Sequence, residues 1–135
     1  MISDSSLAAS KRRILLVEDS EIIRETLQAL LESSGFVVEA VSEGLVAVAQ
    51  FTQAPYELVL IDVGLPDISG YEVAQRLRGA PSGAAAYLVA MTGHAQPSDK
   101  AKALEAGFDV HLAKPFEIED LEALLNSRLA AMRES

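Results

Sequence analysis

The stretch Glu57-Leu58-Val59-Leu60-Ile61-Asp62-Val63-Gly64-Leu65-Pro66-Asp67-Ile68-Ser69-Gly70 decides how this chain is read. Leu58 to Ile61 are four consecutive aliphatic residues flanked by turn formers. They fit a short strand covered on both faces, because such a strand needs no polar side. The carboxylate that follows, Asp62, then falls where the sheet meets solvent. Gly64, Pro66 and Gly70 build a turn behind it. On this stretch alone, Asp62 reads as the start of that turn.

Outward from there, the same kind of strand recurs. Ile14–Val17 is a first strand, Phe36–Val41 a second and partly alternating one, Tyr87–Met91 a fourth and Val110–Leu112 a short fifth. Between them lie helical patterns. Ser20 caps a helix with Ile23, Leu27, Leu30 and Leu31 at i, i+4, i+7 and i+8, stopped by Gly35. A weaker helix runs from Glu43 to about Gln53 and ends at Ala54-Pro55. Another spans Ser69 to Leu77, with Gly79 beyond it and a small-residue loop at Ala80–Ala85. Ser98 to Ala106 is helical with Gly107 as its stop, and Glu117 to about Met132 carries Ile118, Leu121, Leu125 and Leu129. Buried strands joined by helical crossovers predict an α/β fold with a five-stranded parallel sheet, doubly wound in the order 2-1-3-4-5. Residues 1–11 read as a flexible N-terminal segment and 12–132 as one domain.

Composition narrows the function. The chain has 135 residues, half of them apolar and none of them cysteine, so no disulfide or thiolate chemistry is available. No apolar run approaches the roughly 20 residues that span a bilayer, and Met1–Ser10 lacks a signal-peptide core. A reducing cytoplasm suits such a chain. The net charge of −9, from 20 acidic and 11 basic residues, disfavours nucleic acid or an anionic membrane as direct partner. The Lys11-Arg12-Arg13 cluster is too short to outweigh it.

In open α/β sheets the chemistry gathers beyond the carboxyl ends of the strands, where strand order reverses. Strand one ends in Glu18-Asp19, strand three in Asp62, strand four in Thr92 and strand five in Lys114. Two unit charges about 4 Å apart repel by about 4 kcal/mol at an effective dielectric of 20, and a single ammonium offsets only part of what three carboxylates create. Either a carboxyl takes up a proton or a cation binds. An all-oxygen acidic site with room for water suits Mg²⁺. A cation there would also neutralise an incoming phosphoryl group, with Asp62 as a carboxylate nucleophile.

Val17-Glu18-Asp19, Ile61-Asp62 with Pro66 and Gly70, Met91-Thr92-Gly93 and Lys114-Pro115-Phe116 together resemble the receiver domain of bacterial two-component response regulators, a CheY-like fold. Each motif alone is common; four in order, each at a strand end, are specific. The resemblance covers about Arg12 to Leu129. It implies that Asp62 accepts a phosphoryl group from a histidine kinase, a phosphotransfer protein or a small donor such as acetyl phosphate. It implies Mg²⁺ on the carboxylates of Asp19 and Asp62 and the backbone carbonyl of Gly64, with Glu18 helping through water. Lys114 would hold a phosphoryl oxygen, the Thr92 hydroxyl would swing to another, and the Lys114-Pro115 bond would be cis. Such a module is not an enzyme on other substrates, though it assists its own phosphorylation and dephosphorylation. Its partners would include a second copy or a downstream protein meeting the face of helix four, strand five and helix five.

Two positions depart from the family's commonest pattern. His111 stands where an aromatic switch residue is usual, a wording that resembles receivers attached to hybrid sensor kinases; it reads equally as a switch or as a surface histidine of strand five. Gly64 and His94 occupy the two places that flank attacking water in relatives, and His94 reads as a solvated loop residue. Ser20 and Ser69 read as helix caps, Tyr71 and Phe116 as packing residues. Three alternatives compete: a haloacid-dehalogenase-type phosphatase, which wants a second acid where Gly64 stands; a flavodoxin-like cofactor binder, whose phosphate Glu18-Asp19 would repel; and a degenerate receiver that only docks.

Overall fold

The fold follows from where the aliphatic runs and the glycine stops fall. In the computed structural model, which describes residues 12–93 and 97–134, the order is β1 Arg13–Val17, α1 Glu21–Ser33, β2 Val37–Val41, α2 Gly44–Gln53, β3 Leu58–Asp62 and α3 Gly70–Gly79. A 3₁₀ turn at Gly83–Ala85 leads to β4 Tyr87–Thr92, α4 Pro97–Ala106, β5 Val110–Ala113 and α5 Ile118–Glu134. The strands form one parallel sheet in the order β2-β1-β3-β4-β5, as the sequence predicts. Element ends differ by a residue or two: β1 begins at Arg13, α3 runs through Gly79 to a C-cap at Ala80, and α5 runs past Met132. The expected flexible segment and His94 lie outside the described residues.

β3 and β4 are buried at every position, which is why they read as continuous apolar runs. Alternation still decides which helix each side chain meets. Leu15, Val17, Val59, Ile61, Leu88 and Ala90 face α2, α3 and α4, packing on Phe51, Val73, Leu77 and Ala103. Ile14, Leu16, Leu58, Leu60, Val89 and Met91 face α1 and α5, packing on Leu27, Leu31, Leu121 and Leu125. The outer strands β2 and β5 are only partly covered.

The helix ends are set by short-range chemistry. Ser20 Oγ accepts from the Ile23 N–H and Ser69 Oγ from the Glu72 N–H, the capping bonds expected of both. After α1, Gly35 takes φ +98°. Its N–H donates to the Glu32 carbonyl and the Phe36 N–H to the Leu31 carbonyl, a complete Schellman motif that buries Phe36 against Leu31. Gly107 repeats it after α4 at φ +111°, with Phe108 as the buried partner. These stops return the chain to the amino edge of the sheet, so that all five strands point their carboxyl ends the same way.

Candidate phosphoacceptor site

β1 and β3 are neighbours, with Val17 opposite Ile61, so the residues after them emerge side by side at the carboxyl edge. Carboxylate oxygens of Glu18, Asp19 and Asp62 lie within 4.8 Å of one another. Asp19 is exposed; Glu18 and Asp62 are buried, at 1% and 8% exposure, so their charges cannot be screened by water as surface charges are. Lys114 reaches in from beyond β5, its Nζ 3.1 Å from Glu18 Oε1 and 3.3 Å from Asp62 Oδ1. Three carboxylates against one ammonium leave a net charge of −2 on the group.

The buried acid carries the strain. Burial pushes the Glu18 carboxyl up from its ordinary range, against the hydrogen bonds donated by the Ser20 N–H and Lys114. Burial alone would weaken the Lys114 charge, but its bonds to Glu18 and Asp62 outweigh that and hold the ammonium above its ordinary range. Lys114 and the Gly64 N–H both donate to Oδ1 of Asp62, which leaves Oδ2 outside these bonds. An exposed carboxylate on Asp19 and an Asp62 oxygen outside the bonds from Lys114 and Gly64 are the hard oxygen donors that a small divalent cation takes, so the residues present fit Mg²⁺.

The loops are drawn tight around this group. The Val63 N–H donates to the Met91 carbonyl at 2.9 Å, and the Lys114 N–H to the Thr92 carbonyl at 2.7 Å, joining the ends of β3, β4 and β5. Thr92 is buried at 3% exposure, and the Lys114-Pro115 bond is cis. Gly70 begins α3 so close behind Asp62 that an added Cβ would stand 2.6 Å from the Asp62 carbonyl. Strand order thus brings Glu18, Asp19, Asp62, Thr92 and Lys114 to one edge, as predicted. His111 lies on β5 opposite Ala90, and among the described residues neither of its ring nitrogens, both buried, has a hydrogen-bond partner.

Two contributors carry no motif. Arg24, one turn into α1, folds back so that Nη1 donates to the carbonyls of Glu18 at 3.1 Å and Asp19 at 3.4 Å. Asp67 ties the loop after Asp62 to the start of α2. The one usable signal for Asp67 is negative: Glu43 is a poor N-cap, so another group has to serve that helix end. Beside the site, Ile22, Ile23, Leu27, Leu30, Pro115 and Phe116 line an apolar groove of about 550 Å³ that Lys114 also borders.

A doubly wound parallel sheet with an acidic cluster and a lysine at its switch point defines a class, the CheY-like α/β proteins. Residues 14–126 match the response regulator receiver domain family, and the chain belongs to it. It is a receiver domain, the phosphoacceptor module of two-component response regulators. It is 37% identical over 107 residues to a gliding motility regulatory protein of Myxococcus xanthus, covering 79% of this chain and 14% of that one. It is 38% identical over 125 residues to the KDP operon transcriptional regulatory protein KdpE of Escherichia coli, covering 90% of this chain and 52% of that one. The chain therefore spans about half the length, or less, of these curated relatives. Among solved structures, the receiver domain of the sensor histidine kinase PA1611 of Pseudomonas aeruginosa, described with a magnesium ion in its active site cleft, superposes with a TM-score of 0.80 at 33% identity. That match covers 85% of this chain and 94% of the other. The chemotaxis protein CheY4 of Vibrio cholerae gives a TM-score of 0.81 at 27% identity, covering 85% and 96%. No described helix is long and apolar enough to cross a membrane.

Proposed function

We propose that Asp62 is the phosphoacceptor and that the receiver unit, residues 12–132, takes its phosphoryl group from a histidine kinase or phosphotransfer protein in the cytoplasm. The observation that carries this reading is the buried Asp62 carboxylate with Oδ1 engaged by Lys114 and Gly64 and Oδ2 outside those bonds. A carboxylate oxygen of Asp62 attacks phosphorus, the phosphorus–nitrogen bond of a phosphohistidine breaks, and the departing imidazole nitrogen takes up a proton. Lys114 balances charge on the transferring oxygens, which electrostatic preorganisation makes worth far more here than in water. The Asp19 and Asp62 carboxylates and the Gly64 carbonyl would hold Mg²⁺, with Glu18 supporting from behind; the ion supplies charge neutralisation to the phosphoryl oxygens.

Once Asp62 carries a phosphoryl group, nearly two negative charges stand where the carboxylate carried one, and the Thr92 hydroxyl is the neutral donor at the end of β4. His111 shares that face of the sheet, and its ring nitrogens, without a hydrogen-bond partner among the described residues, favour a role as the residue that relocates with Thr92. The α4–β5–α5 face would then change, presenting an altered surface to a second copy or a downstream protein. The phosphodonor itself would seat on the apolar groove of Ile22, Ile23 and Phe116, because that surface runs up to Lys114 and so brings a docked donor's histidine to Asp62.

The test is intact mass after incubation with acetyl phosphate and Mg²⁺. One base-labile phosphoryl group is expected on the wild type and none on Asp62→Asn; label persisting in Asp62→Asn overturns the assignment.

A further inference from the structure

α2 starts badly by its own sequence. Glu43 sits at the N-cap with extended backbone and makes no side-chain capping bond. The helix is capped from 22 and 23 residues away instead. Asp67 Oδ1 accepts from the Gly44 N–H at 2.9 Å and Oδ2 from the Leu45 N–H at 2.8 Å, a charge-assisted pair on the positive end of the helix. The Leu45 bond, with those from Gly44 and Ile68, holds the Asp67 carboxyl below its ordinary range even though it faces water. The seat is tight: a Cβ on Gly44 would meet Ile68 Cγ1 at 2.8 Å and Val73 Cγ2 at 2.6 Å, so only glycine lets the loop close on the helix.

The same loop carries Gly64. Its ends are held by the Val63 N–H on Met91 and by the Gly70 N–H on Val63; between them Leu65 and Ile68 pack against the core, and Asp67 supplies the side-chain bonds that tie the loop to α2. We infer that Asp67 is a positioning residue for phosphoryl acceptance: by capping α2 in trans, it fixes the 63–69 loop so that Gly64 stays beside Asp62. Asp67 touches no reacting atom and acts through Gly64. The inference rests on the assignment of Asp62 above.

A helix-capping role and a loop-positioning role separate in one experiment. Asp67→Ala, Asp67→Asn and the double variant Glu43→Ser/Asp67→Ala are compared with wild type. The readouts are thermal melting, Mg²⁺ affinity by calorimetry and the rate of labelling by acetyl phosphate. Positioning predicts that Asp67→Ala loses about tenfold in Mg²⁺ affinity and in labelling rate, as removal of supporting partners typically does. Asp67→Asn, which keeps one of the two acceptor oxygens, should fall between. Glu43→Ser gives α2 a cap of its own, so the double variant should recover the melting temperature and not the affinity or the rate. Recovery of all three, or an unchanged Mg²⁺ affinity in folded Asp67→Ala, overturns the inference. An unlabelled wild type would instead break the Asp62 assignment, and the Mg²⁺ arm would still decide Asp67.

Discussion

The two ends of the sheet treat charge in opposite ways. At the amino edge, Arg12 lies over the Phe36 ring and Arg13 over Tyr56, with Glu39 3.6 Å from Arg13. Arg128 lies over Tyr87. Arg78 is bonded to the carbonyls of Gly83, Ala86 and Gly107 and to Asp109, which itself accepts from the Leu88 N–H. Burial and the Glu39 carboxylate push the Tyr56 phenol up to about 12, so that ring stays uncharged beside Arg13 across the physiological range. At the carboxyl edge, like charges are held together and one lysine answers three acids. The amino end spends its charges on the fold, whereas the carboxyl end keeps them in repulsion, which a bound cation would relieve.

That contrast can be broken from either end. Lys114→Ala should leave a folded protein and slow labelling by acetyl phosphate about a hundredfold, the scale seen when one preorganised charge-stabilising group is removed; a rate within a few fold of wild type would make Lys114 structural. Arg78→Ala should do the converse. It strips a mostly buried guanidinium from three carbonyls and Asp109, so urea denaturation should show a loss of roughly 3 kcal/mol, while labelling per folded molecule stays unchanged.

A smaller effect concerns Glu18. A carboxyl whose folded pKa is raised favours the fold at acid pH, and that contribution fades as pH rises from its ordinary value of 4.5 through the raised one. Without divalent cations, Glu18→Gln should therefore gain stability relative to wild type across that window, and parallel urea midpoints for both proteins would refute it. Millimolar Mg²⁺ should raise the wild-type melting temperature by linkage, with Asp19→Asn blunting the rise. The smallest change expected is in Arg24→Met. Loss of its bonds to the Glu18 and Asp19 carbonyls should weaken Mg²⁺ binding a few fold, with Arg24→Lys partly restoring it; tighter binding would mean that its charge, not its bonds, is what matters.

The sheet order and the edge where the acids meet were legible in the sequence because they depend on local patterns: Leu58–Ile61 with Asp62 behind it, Gly35 and Gly107 as stops. What the sequence hid depends on chain segments meeting in space. Ile23 and Leu30 share the period of Leu27 and Leu31, yet they remain 38% and 40% exposed while the other two are buried. They sit at the margin of the α1 stripe and line the groove facing Phe116. Asp67 carries no signal of its own, since its partners are the N–H groups of another helix. Arg78 is equally silent, because it binds the chain before β4 and β5. Hydrogen bonds to backbone leave no mark on the partner's residue type.

Gly70 and Gly64 both adjoin Asp62 and differ in what they would accept. A Cβ at Gly70 would strike the Asp62 carbonyl and the Val63 Cα, whereas one at Gly64 would meet nothing within 4 Å. Position 70 is thus closed to substitution, while a side chain at position 64 would start into open space near Asp62. Variation can enter this domain at 64 without disturbing the close packing at 70: with Asp62 as the acceptor proposed above, a residue placed at 64 would screen, orient or admit water there and so set how long the phosphoryl group lasts. The fold would persist while the duration of the signal was retuned.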